Sequence, residues 1–429
     1  MTGTGARLQV AFGINPFDNT NLDLEASWID VNADVRSITY QTDHRSDRFA
    51  VFSAGNLTAT LDNRIRRYDP DHATGPFFGQ MKRYVPVRLI AVHAGVRYVK
   101  WYGYTLEWRP QYAGKFDSVT VLQATTPTGV VARYEMAPID PAAHAGDTAG
   151  GRIARVLDDM GHPSAYRSLE VDGQVQATKF GVNALQHIQT AARSVPGGLF
   201  YSQPDGTVTH DGQAALTSTR QSSSQVTLSH DTAPIYQSLE VAGVGLGYRD
   251  LIRIGRTGGT VQTIDNSAAN EAPVVFQDTS LLMALDSHAA AVAKFTADLF
   301  GTETVFPRKV SFVMDAIDGD AESLIASAVF HLVPRHGPQG SLRHNTQLLA
   351  RKLRDRITVT YDPPGGGSDI SALCYIDGMA GRIEGGIWRE TWTLSSADAY
   401  DNNLGSAPST WMTLGTVTTS ELAVGKLAY

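Results

Sequence analysis

The sequence predicts a mainly β protein interrupted by α+β segments, and three observations carry that expectation. Apolar residues alternate with polar ones over short runs, turn residues punctuate those runs, and only a few stretches show helical spacing.

The first quarter holds the clearest strands. In Leu57–Leu61 the apolar side chains alternate with threonines, the period of a half-buried strand. Val85, Val87, Leu89 and Ala91 repeat the pattern, with Arg88 on the other face. Arg97–Trp108 is aromatic-rich, and Phe116–Leu122 follows as a β-branched run. Asp69-Pro70-Asp71 and Thr74-Gly75-Pro76 supply turn chemistry between them. Short strands at this spacing suggest a barrel or a sandwich.

After about Pro127 the spacing changes. Ile153, Val156, Leu157 and Met160 fall on one helical face, with Thr148 placed as N-cap and Gly161 just past the end. A second helix is expected from Asn183 to Arg193, with Leu185, Ile188 and Ala192 inward. Gly197–Tyr201 and Thr207–Thr209, joined across Asp205-Gly206, read as a hairpin.

Strand-like runs then return at Val226–Leu228, Ile235–Val241 and Leu251–Ile254. Asp286 can cap a helix to Phe300 that buries Ala289, Val292, Ala293, Thr296 and Leu299 and ends at Gly301. Further strands are expected at Val310–Met314, Ile357–Tyr361, Tyr375–Asp377 and Trp388–Leu394. The expected division is an N-terminal β domain (1–125), barrel or sandwich, an α+β domain (126–225) and a second β domain (226–400) with a helical insertion near 284–300. A polar tail (401–429) follows.

Composition narrows the function. A chain of 429 residues can hold two to four domains. A net charge of −7 argues against tight binding to a phosphate backbone, which needs a basic stripe. Of 36 basic residues only eight are Lys, which we read as high-GC coding bias. Cys374 is the single cysteine, so no intrachain disulfide or cysteine metal cluster is expected. No apolar run approaches the roughly eighteen residues of a membrane span, and the start does not resemble a signal peptide. Synthesis in a cytoplasm is the expectation.

None of the candidate constellations carries chemistry. Gly243, Gly245 and Gly247 lack the phosphate-loop spacing and read as a turn or bulge. Asp315, Asp318, Asp320 and Glu322 fail calcium-loop spacing and read as solvated carboxylates, an adventitious cation being the other reading. His331, His336 and His344 lack the close pairing that zinc takes. Asp158-Asp159 falls on an outer helix face, and the sequon Asn56-Leu57-Thr58 lies in a strand. No GxSxG is present, although a triad of distant residues leaves no sequence trace. The stripe Tyr98, Trp101, Tyr102, Tyr104 and Trp108 reads as core and interface packing, with a sugar platform as the alternative. We therefore expect no catalytic residue, cofactor or metal.

Several segments together resemble the minor tail proteins of siphophages infecting actinobacteria. Trp28–Val31 with Val35–Ser37 resembles that family's opening strand. Phe52–Arg64, Arg67–Pro70 and Gly75-Pro76 resemble its next block, and Val87–Leu89 with Trp101–Tyr104 a strand pair. Arg256–Thr263 resembles a later block, and Asp355–Val359, Pro363–Gly365 and Trp388–Leu394 the closing one. The likeness spans about residues 25–400, and the later blocks are also similar to the gp27-like hub of phage baseplates.

That resemblance implies two tube-like antiparallel β-barrels per subunit and a homotrimer that imitates a sixfold ring. It implies a hub joining tail tube to tail tip, within the virion, forming part of the DNA-ejection conduit. Expected partners are the distal tail protein, the tape-measure protein and other minor tail or fibre proteins, with DNA passing unbound and no membrane insertion. An acidic lumen would repel phosphates during that passage. Many hub relatives carry a lysin or fibre domain, and here any peptidoglycan hydrolysis is expected from another protein. A hexameric distal-tail ring protein and a receptor- or wall-glycan-binding module are the alternatives. Chain length and two separate β regions favour the hub.

Overall fold

A computed structural model describes residues 5–14, 27–47, 50–114, 116–137, 139–180, 183–229, 236–241, 249–267, 272–300, 306–314, 347–361 and 369–397. The protein is mostly β, with 45% strand and 19% helix, built on a curled, largely antiparallel half-barrel sheet.

The first strands are β1 (Gly5–Val10), β2 (Ile29–Asp30), β3 (Val35–Gln41), β4 (Asn56–Asp62), β5 (Pro86–His93), β6 (Val96–Tyr112) and β7 (Ser118–Thr125). The α+β stretch follows as α1 (Pro127–Val131), β8 (Ile139–Ala143), α2 (Ala149–Asp159), β9 (Arg167–Leu169), β10 (Thr178–Phe180), α3 (Ala184–Arg193), β11 (Leu199–Ser202) and β12 (Val208–Asp211). Then come α4 (Thr219–Ser222), β13 (Thr227–Leu228), β14 (Ser238–Val241), β15 (Leu251–Arg256), β16 (Gln262–Asp265), β17 (Val275–Leu281) and α5 (Asp286–Phe300). The chain returns to long strands in β18 (Pro307–Met314), β19 (Arg356–Tyr361), β20 (Ile370–Glu384) and β21 (Ile387–Ser396).

Thirteen of these strands form one sheet, in the order β14-β18-β21-β20-β3-β4-β7-β6-β5-β1-β2, with β19 and β13 branching from β20. The early and late strands meet where β20 pairs with β3. Gly381 lies opposite Tyr40 there, and a Cβ at Gly381 would sit 2.4 Å from the Tyr40 ring. Glycine is what lets that ring lie across the neighbouring backbone. One hydrophobic core runs through the seam, with Ile38, Leu57 and Trp101 joined to Ile376, Trp388 and Trp392.

Two smaller units pack beside this sheet. In one, α2 and α3 enclose a core with β9, β11 and β12 around Ile153, Leu157, Ile188 and Phe200. Thr148 caps α2 by accepting from the Gly151 amide at 3.0 Å, and Gly161 beyond its end has φ +70, both as the sequence predicts. In the other, α5 covers the β16-β15-β17 sheet through Ala289, Val292 and Ala293. The Asp286 carboxylate at the start of α5 accepts from Arg256 Nε at 2.6 Å and from the Thr260 amide at 3.3 Å.

Two local expectations are corrected. Tyr375–Asp377 is the middle of the fifteen-residue strand β20, whose glycines and bulge hide its alternation. Phe116 stands in the turn before β7 and is exposed, because the β6–β7 ladder ends at Tyr112 and Ser118.

Candidate assembly surface

Interruptions of the strand ladder place the buried charges. The β5–β6 register passes from Leu89↔Trp101 to Ile90↔Val99, so Lys100 is an extra residue turned out of sequence. Its ammonium reaches Glu390 Oε1 at 3.1 Å, both side chains being fully buried. Tyr40 donates to Glu390 Oε2 at 2.8 Å and Trp392 Nε1 to Oε1 at 2.8 Å. Burial, with the Glu390 charge beside it, pushes the Tyr40 hydroxyl pKa well up.

A bulge in β20 does the same for Asp377, between Ile376↔Leu394 and Gly378↔Thr393. Asp377 accepts from Arg45 Nε and Arg354 Nη1, each at 2.7 Å. Burial pushes its pKa up, but the two guanidiniums outweigh burial and hold the carboxyl below its usual range.

A third node ties the sheet to the α+β unit. Asp43, fully buried after β3, accepts from the amides of Gly55 at 2.9 Å and Ser202 at 2.7 Å. Thr126 and Thr128, flanking the start of α1, each donate a hydroxyl at 2.5 Å. Burial raises its pKa against those four donors. These groups are sealed inside and hold elements together; they are not arranged to reach a substrate.

The same slips distribute the aromatic stripe. Passing the extra residues Lys100 and Leu106 swaps the faces of β6. Tyr98, Trp101 and Trp108 therefore join the main core, while Tyr102 and Tyr104 pack with Trp28 and Val130 on the other side. All but the half-buried Tyr98 are buried, so the stripe presents no open ring face for a sugar. Trp101 also donates to the Gln41 carbonyl at 3.0 Å.

A cavity of about 100 Å³ lies where the three units meet and is lined by Phe52, Phe200, Phe276 and Phe295 among others. Its polar groups are engaged: Arg193 pairs with Asp278 and Gln189 donates to the Phe52 carbonyl at 2.9 Å, both between units, and Arg45 pairs with Asp377 within the sheet. The cavity has the character of a packing gap.

One end of the sheet carries an exposed apolar and charged tip. Strands β3, β4 and β7 pass from α1 and Asp43 at one end to Arg36, Asp62 and Ser118 at the other, roughly 20 Å away. At that far end Arg36 makes a two-pronged contact with Asp117, at 2.5 and 3.2 Å, and reaches Asp62 at 3.4 Å. Arg64 holds Asp62 at 2.6 Å, Arg66 holds Asp69 at 2.7 Å, and Tyr112 donates to Asp69 at 2.7 Å. Around this chain of contacts stand Phe116, 83% exposed, Ile65, 77% exposed, and Tyr112.

The loop beneath is rigidly packed. Phe12 stacks on Phe77 at 3.9 Å, Tyr68 stacks beside them, and the Arg67 guanidinium lies over both Tyr68 and Phe77. The Asn63–Asp69 block is thus a scaffold for an exposed tip. The end combines aromatic, aliphatic and arginine side chains on a fixed base, the composition of protein–protein contact centres.

No family model matches the chain, and no curated protein matches it in sequence. Solved structures do. The 43 kDa tail protein of prophage MuSo2 from Shewanella oneidensis aligns with a TM-score of 0.52 at 11% identity, over 92% of this chain and 99% of its own. The tail protein from Neisseria meningitidis MC58 aligns with a TM-score of 0.54 at 10% identity, over the same shares. The chain has the fold of these two tail proteins. An Escherichia coli type VI secretion component, described as structurally similar to the T4 bacteriophage tail proteins gp27 and gp5, aligns at 0.44, too loosely to add to that assignment.

Within this tail-protein fold the remaining candidates separate. Asp158 accepts from Arg167 at 2.6 Å and Asp159 from the Tyr134 hydroxyl at 2.8 Å, both on an exposed helix face. The Gly243–Gly247 turn, the Asp315–Glu322 acids, the histidines 331, 336 and 344, Gly301 and the 401–429 tail lie outside the described residues. Among the described residues no group of three or more His, Cys, Asp or Glu is placed to hold a metal, and no helix is long and apolar enough to cross a membrane.

Sequence reasoning missed Asp43, Lys100, Asp377 and Glu390. Only Glu390 left a usable signal: it shares the period-two face of Trp388 and Trp392.

Proposed function

We propose that this chain is a structural protein of a tailed-phage tail tip, a hub that joins tail tube to tip around the DNA-ejection conduit. The observation that carries the reading is a tail-protein fold shared along 92% of this chain and 99% of each of two tail proteins. The sequence resemblance to minor tail proteins of actinobacterial siphophages supports it from a second direction.

The working unit is a homotrimer seated between the distal tail protein and the fibre or other minor tail proteins, with the tape-measure protein passing through. DNA crosses the ring without specific binding, and the net charge of −7 suits a wall that does not hold phosphates. The buried charge nodes are bracing within this scaffold. A glycan-binding role is the weaker alternative, since the stripe that suggested it is packed inside.

The test is mass photometry of the purified chain, followed by electron cryomicroscopy of assembled tips. Three copies around a channel are expected. Six copies would move the protein to the distal ring, and a stable monomer that turns over a wall polymer would overturn the scaffold reading.

A further inference from the structure

We propose that the end of the sheet bearing Ile65, Tyr112 and Phe116 is a docking knob for a protein surface whose apolar socket carries carboxylates on the side that meets Arg64 and Arg66. The inference stands on this surface alone and goes beyond the hub reading.

Three observations support it. Phe116 and Ile65 have the highest exposures of all the large apolar side chains described. They stand beside held positions: the contacts of Arg64 with Asp62 and of Arg66 with Asp69 hold both neighbours of Ile65, and the contact of Arg36 holds Asp117 next to Phe116. A fixed apolar anchor loses little conformational freedom on binding, which is how contact centres gain affinity.

The charges are also layered. Arg64 is 63% exposed above an Asp62 that is 22% exposed, and Arg66 is 50% exposed above an Asp69 that is 3% exposed. Around Ile65 the outer layer is therefore guanidinium with its carboxylates beneath, so a partner meets outward donors on that side. Beside Phe116 the order reverses, Asp117 being 48% exposed and Arg36 36%. A polyphosphate fits less well. The exposed Asp117 would repel the extended run of phosphates that such a ligand brings across the patch, and Ile65 offers nothing for a base to stack on.

The location agrees. The α+β unit, attached through Asp43, Thr126 and Ser202, joins the opposite end of β3, β4 and β7. The knob end is therefore clear of that unit.

The test is selection of a randomised short-peptide library on the immobilised full chain, with affinities measured by fluorescence anisotropy. Peptides combining acidic with aromatic or aliphatic residues are expected. Their binding should fall on the order of tenfold or more in Ile65→Ser/Phe116→Ser, fall in Arg64→Ser/Arg66→Ser, and persist in Val171→Ser, an exposed apolar control elsewhere. All substitutions are at exposed positions, and unchanged thermal midpoints check that each variant folds.

Basic peptides, no enriched peptides, or peptides that bind the Ile65→Ser/Phe116→Ser protein equally well would overturn the proposal. Single-stranded oligothymidine binding that depends on Phe116 and Arg64 would reassign the knob to nucleic acid. Self-association abolished by Ile65→Ser/Phe116→Ser would reassign it to a second copy. Loss of the peptide result with the trimer intact leaves the hub reading standing, and a monomer with the peptide result intact does the reverse.

Discussion

Lys100 and Glu390 meet at 3.1 Å in the interior of the sheet, one from an early strand and one from the last described strand. Removing one partner of such a pair leaves the other desolvated and uncompensated, which costs roughly 3–5 kcal/mol. Lys100→Met should lower stability by about that amount in urea unfolding. Adding Glu390→Gln should recover part of the loss, because a neutral amide can still accept from Trp392 or Tyr40. A double-variant loss equal to the sum of the losses in Lys100→Met and Glu390→Gln taken singly would show that the pair is not coupled. The sequence hid Lys100 because its inward aim comes from an extra residue in β6, and a single sequence gives no sign of where a ladder slips. Glu390 was readable, being on the face of two tryptophans, yet solvated positions are the common fate of a glutamate.

Helices α2 and α3 were legible almost to the residue, since caps and a three-to-four spacing are local properties. Their unit carries a pH dependence that the sequence did not announce. His162, just after α2, and His187, within α3, are both buried. Burial, helped by Arg167 near the first and Arg152 near the second, lowers each pKa from 6.5 to about 4. The unfolded chain takes up protons below pH 6.5 while the folded unit refuses them until about 4, so stability is lost as pH falls through that window. Thermal midpoints measured between neutral and acid pH should decline across it, and His187→Gln should flatten part of the decline. A flat profile in the native protein would contradict the assignment. Two glycines of the unit, one after α2 and one in the β11–β12 hairpin, offer a second check. Gly161 has φ +70 and open space around it, so Gly161→Ala should cost roughly 1 kcal/mol from backbone strain. Gly206 has φ +90, and its Cβ would lie 2.4 Å from the Tyr102 ring, so Gly206→Ala should cost about 3 kcal/mol. Equal losses in the two variants would show that the Tyr102 contact adds nothing.

At the scale of the whole molecule, local alternation located most of the strands, but it carries no information about which distant strand pairs with which. The β3–β20 ladder joins residues some three hundred and forty positions apart, and its marks, Gly381 under Tyr40 and Thr42 donating to the Met379 carbonyl at 3.2 Å, have meaning only once the two are adjacent. The seam has a consequence for independent folding. A piece comprising residues 1–125 would leave the β3 edge unpaired and strip Ile38, Tyr40 and Leu57 of the Trp388 and Trp392 side of their core. Unpaired apolar edges aggregate, and a half-core rarely offsets the entropy of ordering its chain. We therefore expect residues 1–125 and residues 226–400, expressed separately, to be insoluble or unfolded, and to give a soluble complex when refolded together. Hydrogen exchange should then protect β3 and β20 to the same degree in the intact chain, because opening the seam exposes both at once. A purified 1–125 fragment with dispersed amide resonances and slow exchange would instead mean that the early strands complete a core by themselves. In that case the ladder between β3 and β20 would be a docking contact between finished domains, and ring closure in the assembly would rest on contacts other than a continuous sheet.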